Sequence, residues 1–295
     1  MNEPTLAGIR RGRQFSPNHV ENDAAIFDLT AEELRKRGCL VKEYPESALE
    51  ENAVEESLIF HMARDSRSVR KLQTYENEGR LVVNSPRGIQ NCTRESMTRL
   101  LLANHVPHPK SLIVPTDINP LPLLREAGMQ RCWIKRGDFH AVCREDVAYV
   151  RDREEAPDIL RGYALRGIKQ AVINEHLRGD LVKFYGVLGT RFFHWFYPLP
   201  AHHSKFGLEQ INGTAKGFPF APEKLRSLCN RTARILNTQV YGGDCIVSPE
   251  GLVDIIDFND WPSFAPCRKE AARYIAKRIY TLISTSCETQ HPIVR

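Results

Sequence analysis

The tightest constraint on the fold is the stretch Gly242-Gly-Asp-Cys-Ile-Val-Ser-Pro-Glu-Gly-Leu-Val-Asp-Ile-Ile-Asp-Phe-Asn-Asp-Trp-Pro262. Two apolar runs flank Ser248-Pro-Glu-Gly251, a four-residue turn, so the segment predicts a β-hairpin over 243–258. That turn sets Val247 opposite Leu252 and Asp244 opposite Ile255, with Asp257 the diagonal neighbour of Asp244. Alternation then points Asn259 the same way, while Ile246, Val253 and Ile255 on that face belong in a core. Asp244, Asp257 and Asn259 converge at one end of the hairpin. Carboxylates plus a carboxamide, with no His or Cys, make a hard-cation site, and Mg²⁺ held by few protein ligands completes its shell with substrate phosphates. The same residues also read as turn formers before Trp261-Pro262, and a one-residue slip of register turns Asp244 to the opposite face.

The 295 residues allow roughly two domain-sized units. With 42% hydrophobic residues and only 18 Gly and 18 Pro, the composition excludes a disordered chain. No apolar run approaches the roughly 20 residues of a membrane span, and the first residues lack a secretory core, so a soluble cytoplasmic protein is expected. The net charge of +5 suits anionic small molecules. Its densest cluster, Arg10-Arg11-Gly12-Arg13, has no interleaved aromatics, and nucleic acid is not an expected partner. The 8 cysteines form no C-x-x-C pair and read as reduced, mostly buried thiols.

Strand and helix signals alternate in the first third, which predicts a small parallel sheet covered by helices. Thr30-Ala-Glu-Glu33 reads as a capping box opening a helix that ends at Gly38. Strands 39–44, 57–62 and 81–84 and a helix near 67–78 follow, and Ser85-Pro-Arg-Gly88 reads as a linker. Next comes an amphipathic helix, 94–104, with Met97, Leu100, Leu101 and Leu102 on its buried side. Strands are expected at 111–114, 132–135, 171–175, 181–188 and 191–197, and helices at 121–127, 154–165, 222–236 and 268–285. The intervening loop 198–221 is long enough to be functional.

Three further positions carry chemistry. Lys135 ends a strand before a glycine turn, where it reaches a phosphate or simply solvent. Ile173-Asn-Glu-His-Leu177, followed by Arg178-Gly-Asp180, reads as a strand leaving the core whose backbone can bond an adenine, or as a plain β-turn. Lys183 stands in an otherwise apolar strand and needs a partner, a salt bridge included. In order, these pieces resemble the ATP-grasp superfamily. They are the helix after Asn91-Cys-Thr-Arg94, Ile134-Lys135, the Ile173–Leu177 hinge, Gly179-Asp-Leu-Val-Lys-Phe-Tyr-Gly-Val-Leu-Gly189 and Gly243-Asp…Ile-Asp-Phe-Asn259. The resemblance covers about 85–285 and is nearest to the ribosomal-protein glutamate ligase and glutathione synthetase branch, with inositol tris/tetrakisphosphate kinases also similar.

The resemblance implies an α/β (α+β) chain of three parts: an α/β domain over 1–85 and two α+β subdomains, 86–172 and 173–295, clasping ATP. It implies that Lys135 binds ATP phosphate, Glu175 the adenine amino group, the Leu177 backbone the ring edge and Asp180 the ribose. Lys183 would serve the γ-phosphate or the bound acid, and Asp244, Asp257 and Asn259 the Mg²⁺, with two ions expected. The glycine-rich loop after the phosphate lysine is reduced to Lys135-Arg-Gly-Asp-Phe-His-Ala141, and Arg94 replaces a lysine, which raises the question whether it serves the phosphates. The implied reaction is ATP-dependent ligation of a small-molecule or peptide carboxylate to an amine through an acyl phosphate. An inositol-polyphosphate-type kinase and a non-catalytic nucleotide-binding module are the alternatives. Candidate acceptor contacts are Arg10, Arg13, Ser16 and Asn18, and His202-His-Ser-Lys205, with Lys205 preferred.

Overall fold

A computed structural model describes residues 3–16, 20–139, 141, 143–198 and 208–290. Its first unit is a parallel sheet in the order β2-β1-β3-β4, built from β1 (Thr5–Ile9), β2 (Leu40–Tyr44), β3 (Leu58–His61) and β4 (Leu81–Val83). Helices α1 (Val20–Arg35) and α2 (Ser66–Asn77) cover it. The central strand β1 escapes the sequence reading because Gly8 interrupts it, so partners on both sides define it. Thr30 opens no helix. It lies buried inside α1, donating its hydroxyl to the Ile26 carbonyl at 2.8 Å, the way a mid-helix threonine satisfies itself one turn back. The Ser85–Gly88 linker is likewise the start of α3 (Pro86–Asn91), with Pro86 in the first turn, where a missing N–H costs nothing.

Helix α4 (Arg94–Ala103) leads into a second sheet, antiparallel and ordered β5-β8-β6-β7: β5 (Ser111–Pro115), β6 (Cys132–Arg136), β7 (Val147–Val150) and β8 (Gln170–Glu175). Leu102 of α4 is exposed rather than core-facing. Helices α5 (Leu121–Glu126) and α6 (Ala156–Leu165) back this sheet around Leu124, Ile134, Leu160 and Ile173. The third sheet, also antiparallel, is ordered β10-β9-β11-β12: β9 (Asp180–Val187), β10 (Phe193–Phe196), β11 (Val240–Val247) and β12 (Val253–Asp260). Helix α7 (Pro222–Ile235) packs Leu225, Cys229 and Ala233 onto it. The last helix, α8 (Arg268–Gln290), turns back to the first unit: Ala272, Ile275 and Ile279 share one core with Ile26, Phe27 and Leu34 of α1.

One buried and one partly buried histidine make the fold acid-sensitive. The Nε2–H of His61 donates to the Asn84 carbonyl at 2.8 Å, and the Nδ1–H of His108 donates to the Ile255 carbonyl at 2.6 Å. Burial lowers both to about 4, so each stays neutral in the fold while its unfolded counterpart takes up a proton below pH 6.5. Stability is therefore complete above pH 6.5 and falls as pH drops towards 4, by about 2 kcal/mol per histidine at pH 5. Urea midpoints measured at pH 7 and pH 5 should differ accordingly. Midpoints that match would show these imidazoles to be solvated.

Candidate nucleotide and metal site

The hairpin predicted over 243–258 is β11–β12, but its register differs from expectation. Val247 faces Val253 and Cys245 faces Ile255, then the register shifts so that Asp244 faces Asp257 directly. Ile256 is the extra residue of this bulge. The bulge inverts the parity of β12: Val253 and Ile255 pack with Phe258 in the core behind the sheet, whereas Asp257 and Asn259 face the front with Asp244 and Ile246. In the register of the turn side without a bulge, Asp257 would point into that core. The convergence of Asp244, Asp257 and Asn259 thus holds, by a different route. Gly243 permits it, because a Cβ there would lie 2.2 Å from the Asp257 carbonyl oxygen.

The adjoining ladder completes a row. Lys183 of β9 faces Asp244 of β11, which faces Asp257 of β12. The Lys183 ammonium lies 3.2 and 3.3 Å from the two Asp244 oxygens, the ion pair its apolar strand demands. From the opposite side Arg94, the first residue of α4, donates both Nη groups to the two Asp257 oxygens, and Asn259 Nδ2 donates to Asp257 at 3.1 Å. Lys135, at the end of β6, reaches across and donates to the Ile256 carbonyl at 3.1 Å. Burial would raise the Asp257 carboxyl, but Arg94 and Lys135 together hold it far below the usual carboxylate range. Burial, helped by Arg94, lowers the Lys135 ammonium to about 8.

These groups line a cavity of about 360 Å³ between the two antiparallel sheets, within the ~300–1,000 Å³ of small-molecule sites. One end is an apolar slot of Trp133, Val147, Ile246 and Ile256, bordered by Glu175, His176 and Leu177. Trp133 donates its indole N–H to His176 Nδ1 at 3.1 Å and packs on Tyr149. The backbone N–H groups of Glu175 and His176 are taken by the Lys110 and Arg131 carbonyls, while that of Leu177 bonds nothing among the described residues. The other end is formed by Arg11, Ser16, Asp23 and Arg64 of the first unit.

Not every expected residue joins the site. Asp180 is buried outside the cavity and accepts the backbone N–H groups of Lys216 and Phe218 at 2.7 and 2.8 Å, so it anchors a loop rather than presenting an oxygen to a ribose. Arg10 pairs with Asp28 and Glu43 on the flank of the first sheet, and Arg13 does not line the cavity. Ser16 does, donating to Asp23 at 2.6 Å. Asn18, His202, His203 and Lys205 lie outside the described residues. Sequence reasoning missed Trp133, Asp23 and Arg64. Asp23 was legible only by recognising that α1 begins at Val20, and Arg64 by noting that it follows the carboxyl end of a parallel strand, where open α/β sheets place ligands.

The donor set fits a hard divalent cation: two facing carboxylates and a carboxamide, with strong cations alongside. Among the described residues no group of three or more His, Cys, Asp or Glu forms a metal cage, so an ion held here would take its remaining ligands from water and phosphate.

Three sheets, with a cavity between the two antiparallel ones, are the ATP-grasp fold, and solved structures bear this out. The D-alanine–D-alanine ligase of Bacillus anthracis superposes with a TM-score of 0.71 at 13% identity, covering 97% of this chain and 99% of that one. A RimK domain ATP-grasp protein from Sphaerobacter thermophilus DSM 20745 matches at 0.68 and 16%, covering 93% and 98%. The ATP-grasp ligase PsnB with a minimal precursor matches at 0.61 and 15%, covering 95% and 99%. The Bacillus enzyme has also been solved with ATP, and PsnB with Mg and ADP. No family model and no curated protein sequence matches the chain. Among the described residues no helix is long and apolar enough to cross a membrane.

Proposed function

We propose that this chain is an ATP-dependent carboxylate–amine ligase that works through an acyl phosphate. The observation that carries the reading is the single row of Lys183, Asp244 and Asp257, flanked by Arg94 and Lys135 and opening into one cavity with an apolar slot. In this reading adenine occupies the slot between Trp133 and Ile256, with the Leu177 N–H and Glu175 at its edge. Lys135, Lys183 and Arg94 neutralise the phosphates. Asp244, Asp257 and Asn259 would hold Mg²⁺, which would supply positive charge to neutralise the phosphates. We read the chain as three units, 1–85, 86–172 and 173–295, each built mainly around one sheet; β8 of the second sheet crosses the 172/173 boundary, and α8 belongs by packing to the first.

The residues themselves position rather than react. Phosphoryl transfer needs an in-line acceptor and fixed positive charge, not a side-chain nucleophile. The substrate carboxylate oxygen attacks the γ-phosphorus and ADP leaves with the bonding pair. An amine then attacks the acyl carbon, phosphate departs, and the amine gives up a proton. The test is incubation with Mg-ATP, a library of acids and amines, and hydroxylamine, with products read by mass. Hydroxamates and ADP are the expected products. Stable phosphorylated alcohols would assign a kinase, and nucleotide binding with no product a non-catalytic module.

A further inference from the structure

The apolar slot of the cavity has one wall whose placement rests on a titratable group. Trp133 lines the slot, and its cross-strand neighbours are Tyr149 of β7 and Asn174 of β8. Its indole packs on Tyr149 with ring centroids 5.0 Å apart, and Tyr149 meets His176 edge to face, also at 5.0 Å. Tyr149 does not line the cavity, so it backs the indole rather than facing a ligand. Ring packing of this kind tolerates sliding and tilting, whereas a hydrogen bond fixes direction. The directional contact is the bond from the Trp133 indole N–H to His176 Nδ1 at 3.1 Å. His176 is itself anchored, its backbone N–H donating to the Arg131 carbonyl at 3.0 Å.

An acceptor at Nδ1 must carry a lone pair there, so this imidazole is the neutral Nε2–H tautomer. A proton on Nδ1 would set two N–H donors against each other and abolish the bond. The surroundings favour the neutral ring. Arg131, ahead of β6, and Arg178, ahead of β9, lie close enough to oppose a positive charge, Tyr149 packs on it from β7, and Glu175, beside it on β8, accepts no hydrogen bond from it among the described residues. Burial first, and then the two guanidinium groups, hold the imidazole below its usual 6.5. We propose that His176 is a positioning residue of the nucleotide site: it fixes Trp133 as the wall against the adenine, and its protonation loosens that wall, so that base binding weakens in acid. The proposal rests on the nucleotide reading of the slot and adds a control of that site by pH. The sign is set by the neutral acceptor: the bond is intact above pH 6.5 and is lost as pH falls through the lowered value of the imidazole.

The test is calorimetric titration of the full chain with ADP and Mg²⁺ at pH 7 and pH 5, on the wild type, His176→Asn, His176→Leu and Trp133→Phe. Asparagine offers an oxygen near the place of Nδ1 and does not titrate; leucine removes the acceptor, and phenylalanine removes the donor while keeping an aromatic wall. At pH 7 the asparagine variant should bind ADP as the wild type does, and the leucine and phenylalanine variants about threefold to tenfold more weakly, the scale of one hydrogen bond between neutral groups. Acidification to pH 5 should weaken the wild type at least about threefold more than the asparagine variant, which shares the titration of the ADP phosphates. Equal weakening of those two, or wild-type affinity in both the leucine and phenylalanine variants, would overturn the role of His176 and leave the nucleotide site standing. No ADP binding at either pH would overturn the nucleotide reading and this proposal with it. Should the variants not fold, the wild-type chain decides through the Trp133 indole N–H resonance, which should move as the imidazole takes up its proton; a resonance that stays fixed overturns the proposal.

Discussion

Asp257→Ala is expected to abolish ATP turnover and, in the same step, to cost about 3–5 kcal/mol of stability. The two effects have separate causes. On the proposed reading the carboxylate would hold the divalent ion, so its loss removes turnover. It is also the anion that holds Arg94, which is 7% exposed and already carries a buried Nε without a partner. Truncation leaves that guanidinium and the neighbouring Lys135 ammonium buried with their main counter-charge gone. Asp257→Asn separates the effects, because a carboxamide keeps the shape and an oxygen for Arg94 while surrendering the charge. Turnover should vanish in both variants, and urea unfolding should show a large loss for alanine and a smaller one for asparagine. Wild-type ATP consumption by Asp257→Asn would remove the residue from the metal site.

Lys183→Met is the second large effect. The ammonium stands at one end of the row Lys183–Asp244–Asp257, with its side chain 14% exposed, and methionine matches its bulk without charge. Turnover with the best acceptor should fall at least about a hundredfold, the scale of losing one fixed charge at a transition state. Affinity for a non-hydrolysable ATP analogue should fall much less. Affinity for the divalent ion should not fall, since Asp244 is freed from its cationic neighbour. An unchanged rate would make Lys183 a counter-ion for Asp244 and nothing more.

The hairpin shows how far local sequence reaches. Alternation and the Ser248–Gly251 turn identify both strands, and Asp244, Asp257 and Asn259 as a donor set, from a window of about twenty residues. They do not contain the bulge at Ile256, because whether a strand accommodates an extra residue depends on what both faces must pack against. Thr30 and Asp180 make the same point. A capping-box pattern inside a helix is silent when the helix continues through it, and a carboxylate after a turn serves whichever N–H groups fold onto it, here those of Lys216 and Phe218.

The chain's own sequence determined most of its strands and helices, the β11–β12 hairpin and that hairpin's hard, oxygen-rich chemistry, because these rest on local alternation and turn residues. Only the tertiary structure decided that Arg94 grips Asp257 from 163 positions away, that Lys183 and Asp244 share a ladder row, and that α8 returns to α1. It alone brought Asp23 and Arg64 to the far end of the cavity. Contacts of that kind are set by strand register and by which buried charges can find one another, and a shift of one residue changes them all.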